Sequence, residues 1–241
     1  MFEQFPKVRP PLPKDIQDIY ASSYKLNREG KTVASWLSQK LESWLHKQVA
    51  KDVLEREIRK TTLEIGAGTL NQLQYEPEVG PYDIVEPFKE LYEGSPHLKR
   101  IRNAYADMKQ VPGQCKYDRI TSVAAFEHIC NLPEVIARCG LLLKQDGMLR
   151  VSIPNEGSLL WELGWRISTG LEFRLKYGLD YGWIMRHEHV NKASEIENQL
   201  EYFFKNVKCK IFGISKSLSF YRFYCCRYPI IERCRKFSVN H

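Results

Sequence analysis

The sequence predicts an α/β protein built on a mostly parallel sheet, and three observations carry that expectation. Thr61-Thr62-Leu63-Glu64-Ile65 is a short, largely apolar run that Gly66 and Gly68 then break, the pattern of a strand entering a sharp turn. A second run, Tyr82-Asp83-Ile84-Val85, closes on an acid, Glu86. From there strand-like and helix-like stretches alternate, as parallel strands joined by crossovers do.

Taken in order, the chain opens with an arm carrying Pro6, Pro10, Pro11 and Pro13, which cannot be regular helix. A short helical segment follows from Asp15, leading to Tyr20, Tyr24 and Arg28. Between Lys31 and Leu54, the residues Val33, Trp36, Leu37, Leu41, Trp44, Leu45 and Val49 recur at helical spacing and predict one buried face. The opposite face, His46 included, reads as solvated. Strands are expected at 61–65, 82–85, 100–105 and 118–123. A helix through Leu141 starts at Asn131, with Glu134 three positions on as in a cap. Gly147 turns the chain into a fifth strand, 148–153, which Pro154 ends.

Residues 156–190 form an aromatic and basic insertion with Trp161, Trp165 and Trp183 among Arg166, Arg174, Lys176 and Arg186. Its Leu159, Leu160, Leu163 and Ile167 read as a helix covering the core. Ser194 and Glu197 read as a capping box for a helix that turns Ile196, Leu200, Phe203 and Phe204 inward. Two strand-like runs, 207–212 and 218–225, end the pattern. The expected organisation is an N-terminal arm and helical cap over 1–58 and the α/β domain over 59–241.

Bulk properties narrow the classes. A length of 241 residues suits one α/β domain with accessory elements. No apolar run is long enough for a membrane span, and the first fifteen residues carry charge and proline where a signal peptide needs an apolar core, so a cytoplasmic location is expected. Seven cysteines without a CxxC pair read as reduced thiols, and no His/Cys spacing suggests a metal. The net charge of +7 is scattered rather than clustered. That pattern disfavours a nucleic-acid partner and leaves peripheral contact with an anionic surface open.

The glycine turn and Glu86 together suit an adenosine nucleoside: the turn gives close access and the carboxylate accepts from ribose hydroxyls. A dinucleotide fingerprint needs a third glycine where Asn71 stands, which turns the reading away from pyrophosphate ligands. The succession Glu64-Gly66-Gly68, Glu86, Ala106-Asp107-Met108, the run 117–122 leading to Phe126-Glu127-His128-Ile129, and Asp146-Gly147 with Pro154-Asn155 resembles class I S-adenosylmethionine (SAM)-dependent methyltransferases. The resemblance covers residues 60–155 in order and spacing. It implies a Rossmann-like doubly wound sheet of seven strands, mostly parallel with a terminal antiparallel hairpin and helices on both faces.

It also implies roles. Gly66 and Gly68 would let the methionine part of SAM lie against the loop, with Glu64 assisting at its ammonium. Glu86 would take the ribose hydroxyls, Asp107 the adenine amine, and Met108 the adenine ring. Ser122 to Ala124 would line the sulfonium side. S-adenosylhomocysteine (SAH) would be the product. One departure stands out: Pro77, Gly80 and Pro81 leave room for only about two helical turns after Gly68, so the pocket is more open there or covered by the N-terminal segment, with Tyr20, Tyr24 and Arg28 as the candidate cover.

Methyl transfer to a hydroxyl needs alignment and a proton acceptor. His128, His187, Glu188 and His189 are the candidate bases; histidine suits the task best because it titrates near neutrality, and each histidine is weighed against a structural role. The insertion suits a small-molecule or glycan-linked acceptor, such as a nucleotide-linked sugar, a glycolipid or a phenolic acid. The Asn/Asp-Pro-Pro-aromatic motif of amino-methylating nucleic-acid enzymes and the Pro-Cys nucleophile of cytosine-C5 enzymes are both absent. An RNA methyltransferase using the basic surface and a non-catalytic SAM-binding module are the rival readings.

Overall fold

The computed structural model describes residues 2–17, 19–20, 33–54, 59–78 and 80–238. Their strands form a seven-stranded sheet in the order β3-β2-β1-β4-β5-β7-β6. These are β1 (Thr62–Ile65), β2 (Tyr82–Val85), β3 (Ile101–Tyr105), β4 (Tyr117–Val123), β5 (Leu143–Pro154), β6 (Phe204–Gly213) and β7 (Ser219–Pro229). Strands β1 to β5 pair in parallel, and β7 runs antiparallel to both β5 and β6. This is the architecture expected from the sequence, the terminal antiparallel pair included. The central strands β1 and β2 are buried along their whole length, as strands covered on both faces must be.

Period-two alternation on β5 shows how the two faces differ. Leu149, Val151 and Ile153 join a core with Ile136 of α3 (Leu132–Leu142) and Ile196, Leu200 and Phe203 of α7 (Ala193–Phe203). Arg150 and Ser152 point the other way, to α1 (Val33–Leu54), donating to the carbonyls of Val49 at 2.9 Å and Leu45 at 3.0 Å. The fully buried Arg119 of β4 reaches the same helix. The 3-10 helix Asn71–Tyr75 lies in the shortened crossover between β1 and β2.

Several expectations are corrected. α7 begins at Ala193, two residues before the expected start, and Glu195 rather than Glu197 accepts from the backbone N–H of Lys192, at 2.8 Å. Glu197 instead faces the hairpin strands, paired with Arg222 at 3.0 Å and Lys216 at 2.6 Å. β5 starts at Leu143, because Leu143 pairs with Tyr117 before a register shift carries the ladder to Met148.

The insertion folds as α4 (Leu159–Trp165), a π-helical turn (Arg166–Gly170), α5 (Leu171–Tyr177) and α6 (Gly182–Glu188). Its Leu159, Leu163 and Ile167 do not cover the core. With Leu171 and Leu175 they form a stripe whose members are each at least half exposed. Trp161 and Trp165 take the inward side, packing on Tyr221 and Tyr181 respectively, while Trp183 stays exposed. α8 (Ile231–Ser238) closes the chain against α3. All seven cysteines are free thiols. Among the described residues no helix is long and apolar enough to cross a membrane.

Candidate active site

Ile65 pairs with Val85 on one side and Ser122 on the other, so the carboxyl ends of β1, β2 and β4 lie level. The glycine turn, Glu86 and Val123–Ala125 therefore surround one crevice, at the point where the strand order reverses. It opens into a cleft of ≈ 710 Å³, a volume suited to a small ligand.

Two positions of the turn require glycine for different reasons. Gly66 has φ 68°, and a Cβ there would lie 2.4 Å from the Cβ of Ala125. Gly68 has φ 51° and faces open space, so its missing side chain leaves the cleft clear. The Gly68 N–H donates to Glu86 Oε2 at 2.8 Å, and the Phe88 N–H donates to Oε1 at 3.1 Å. The Glu86 carboxylate is thereby aimed, with acceptor capacity left on both oxygens. Across the crevice Ala124 holds a left-handed φ of 47°, sustained by its N–H bond to the Ser152 carbonyl at 2.8 Å. A non-glycine residue so placed holds backbone strain at the cleft wall.

The other expected positions fall as follows. Asp107 is exposed at the rim, and its Oδ1 accepts from the Lys109 N–H at 2.7 Å, capping the turn that buries Met108. Arg138 fixes that turn by donating to the Met108 carbonyl at 2.7 Å. Glu64 is buried at the cleft floor and accepts from the Tyr82 hydroxyl at 2.9 Å. Burial, reinforced by the nearby Glu76 charge, pushes its carboxyl up to about 8. Ser122 does not line the cleft, because its buried hydroxyl donates to the Ile65 carbonyl at 3.1 Å. Val123, Ala124 and Ala125 supply that wall instead.

Of the three histidines, His128 lines the cleft. Its Nδ1 lies 2.9 Å from the Glu188 carbonyl and 3.2 Å from Glu188 Oε2. Burial raises the Glu188 carboxyl, but hydrogen bonds from His128 and Tyr20 and the Arg9 charge outweigh it and bring the carboxyl down to about 2. His187 stands off the cleft, with Nδ1 2.7 Å from the Pro10 carbonyl. His189 lies behind His128, their ring centroids 4.9 Å apart, and its Nδ1 is 2.7 Å from Glu156 Oε2. Beside them Glu127 is fully buried, and burial raises its carboxyl to about 7.

Some of the wall was not expected. His46, read from the sequence as solvated, lines the cleft with Glu42 and Leu45 of α1; its Nδ1 lies 2.8 Å from Gln72 Oε1, and its ring stacks on Tyr75. Burial lowers its pKa. His46 follows directly on Leu45, at the border of the buried face, where helical spacing does not separate inside from outside. Arg9 of the N-terminal arm also reaches the cleft. Tyr20 donates to Glu188, while Tyr24 and Arg28 lie outside the described residues.

No protein-family model and no curated protein sequence matches the chain. Solved structures do. The plantazolicin methyltransferase BpumL, in complex with a monoazolic desmethylPZN analogue and SAH, is 17% identical with a TM-score of 0.61, over 88% of this chain and 92% of that one. A possible histamine N-methyltransferase from Thermotoga maritima, described as SAM-dependent, is 14% identical with a TM-score of 0.56, over 88% and 97%. The CurJ carbon methyltransferase is 18% identical with a TM-score of 0.53, over 75% and 53%. The fold is that of the class I SAM-dependent methyltransferases.

Proposed function

We propose that the chain transfers a methyl group from SAM to a small-molecule or glycan-linked acceptor, at oxygen. The observation that carries this reading is the Glu86 carboxylate, held by the Gly68 and Phe88 N–H groups beside a glycine turn open to the cleft. Glu86 receives the ribose hydroxyls in charge-assisted bonds, and Asp107 with Met108 receives the adenine. The methionine part follows Gly66–Gly68 toward Glu64, and Val123–Ala125 borders the sulfonium. Ser122 acts there through the Ile65 carbonyl it holds.

Bound SAM supplies an activated methyl group. The protein's share is to align the acceptor oxygen on the far side of that methyl and to exclude water. His128 is the expected histidine that the cleft reaches, so the acceptor side is assigned to it. His187 and His189 support its surroundings. Residues 59–241 form the transferase domain in this reading, and 1–58 the arm and cap that contribute Arg9, Leu45 and His46 to the cleft.

Calorimetry with SAH is expected to show one site per chain, and labelled SAM should pass its methyl to members of a sugar and phenol panel. Absent SAH binding would refute the cofactor assignment, and SAH binding with no transfer across the panel would leave a binding module. Glu64 gives a second test. A carboxyl held near 8 is largely protonated at pH 7, and a ligand ammonium favours its ionised form. SAM binding at pH 7 should therefore release a proton, seen as a dependence of binding heat on buffer ionisation enthalpy, and Glu64→Gln should abolish the release. Equal proton release in both proteins would remove Glu64 from the ammonium site.

A further inference from the structure

Glu127 and His128 lie in the 3-10 turn Phe126–His128 that follows β4, and His189 lies directly after α6. Asn191 fastens the two segments: its Nδ2 donates to the carbonyls of Phe126 at 2.9 Å and Ile129 at 2.7 Å, and its N–H donates to that of Glu127 at 3.1 Å. Arg9 adds bonds to the carbonyls of His128 at 2.9 Å and His187 at 3.0 Å. Pinned in this way, Glu127, His128 and His189 bring one ligand atom each to within 4.8 Å of one another.

Two features say what such a group is for. Glu127 is 1% exposed, its Oε2 has no hydrogen-bond partner, and its Oε1 lies 3.8 Å from His128 Nε2, beyond hydrogen-bond reach. A buried carboxylate oxygen without a donor is costly, and a cation would satisfy it. Both imidazoles are also oriented for the task. His128 Nδ1 faces the Glu188 carbonyl and His189 Nδ1 faces Glu156, whose Oε2 accepts from Trp161 Nε1 at 2.6 Å as well. An Nδ1–H directed at an oxygen leaves the Nε2 lone pair free, the way metal-bound histidines are set by their outer partners.

We propose that Glu127, His128 and His189 hold a divalent first-row transition ion. Two imidazoles with one carboxylate suit zinc, cobalt, manganese or ferrous iron better than magnesium or calcium, which take oxygen ligands. Bonds of about 2 Å place tetrahedral ligand atoms about 3.3 Å apart, so the side chains draw in by roughly 1 Å. Three protein ligands leave a coordination position open, and His128 places it at the cleft. The inference rests on the methyl-transfer reading for its last step. It makes the acceptor a molecule that offers a hydroxyl oxygen to the ion, with His128 serving as a ligand and the ion raising the acidity of that hydroxyl.

The test titrates the full chain, stripped by chelator, with Co²⁺, while SAH binding is followed separately by calorimetry. One Co²⁺ per chain is expected, with a visible ligand-field band and two imidazoles counted by X-ray absorption. Glu127→Gln and His189→Asn should each weaken Co²⁺ binding at least about 100-fold, since loss of an outer partner alone costs 10–100-fold. His187→Ala should leave it unchanged. No Co²⁺ band in the unmodified chain, fewer than two imidazoles, or full affinity in both variants would overturn the site. Should Glu127→Gln fail to fold, His189→Asn and the imidazole count decide. A chain that binds SAH but no Co²⁺ keeps methyl transfer and loses the ion; one that binds Co²⁺ but no SAH does the reverse.

Discussion

Replacing Glu86 with alanine is expected to weaken SAM binding by about 1.5–3 kcal/mol, roughly 10- to 150-fold, the scale of hydrogen bonds to a charged group. Two effects add. The ribose hydroxyls lose their acceptor, and the Gly68 and Phe88 N–H groups lose the carboxylate that orders the turn. Glu86→Gln separates them: its amide oxygen can still receive one of those N–H groups, but it has no charge and fewer lone pairs, so an intermediate loss is expected. Titration calorimetry with SAM, alongside thermal unfolding to confirm the fold, measures both variants. Unchanged affinity in a folded Glu86→Ala protein would refute the ribose assignment.

The crevice was legible because its parts are local in the chain. Two glycines after an apolar run and an acid after the next are read without knowing the fold, and parallel pairing then sets them side by side. The helices of the insertion were less legible. Leu159, Leu163 and Ile167 have core-facing spacing, yet the tryptophans between them compete for the inward side and take it. The Ser194 and Glu197 capping signal failed because the helix starts two residues earlier, where Glu195 accepts from the Lys192 N–H. The grouping of Glu127, His128 and His189 was not readable at all, since its ligands come from segments about sixty residues apart that long-range bonds through Asn191, Arg9 and Glu188 bring together.

The largest stability effect is expected at Glu76. Arg119 is fully buried and takes both Glu76 oxygens, at 2.7 and 2.9 Å, while also lying 3.3 Å from Asp52 and donating to the Val49 carbonyl at 3.1 Å. Arg150 reaches Asp52 at 3.1 Å, so this charge cluster fastens α1 to the sheet. Glu76→Ala strips Arg119 of its bidentate partner and should cost about 3–5 kcal/mol, because a buried charge is left undercompensated. Against a total of roughly 5–15 kcal/mol, that is a large shift of the urea midpoint. SAM binding should weaken with it, since Leu45 and His46 of the same helix line the cleft. The double variant Glu76→Leu with Arg119→Met removes both charges at similar volume, and it should recover much of the loss. A cost below about 1 kcal/mol for Glu76→Ala would mean that the pair is solvated like a surface ion pair, and the cluster would then not be what holds α1 over the cofactor cleft.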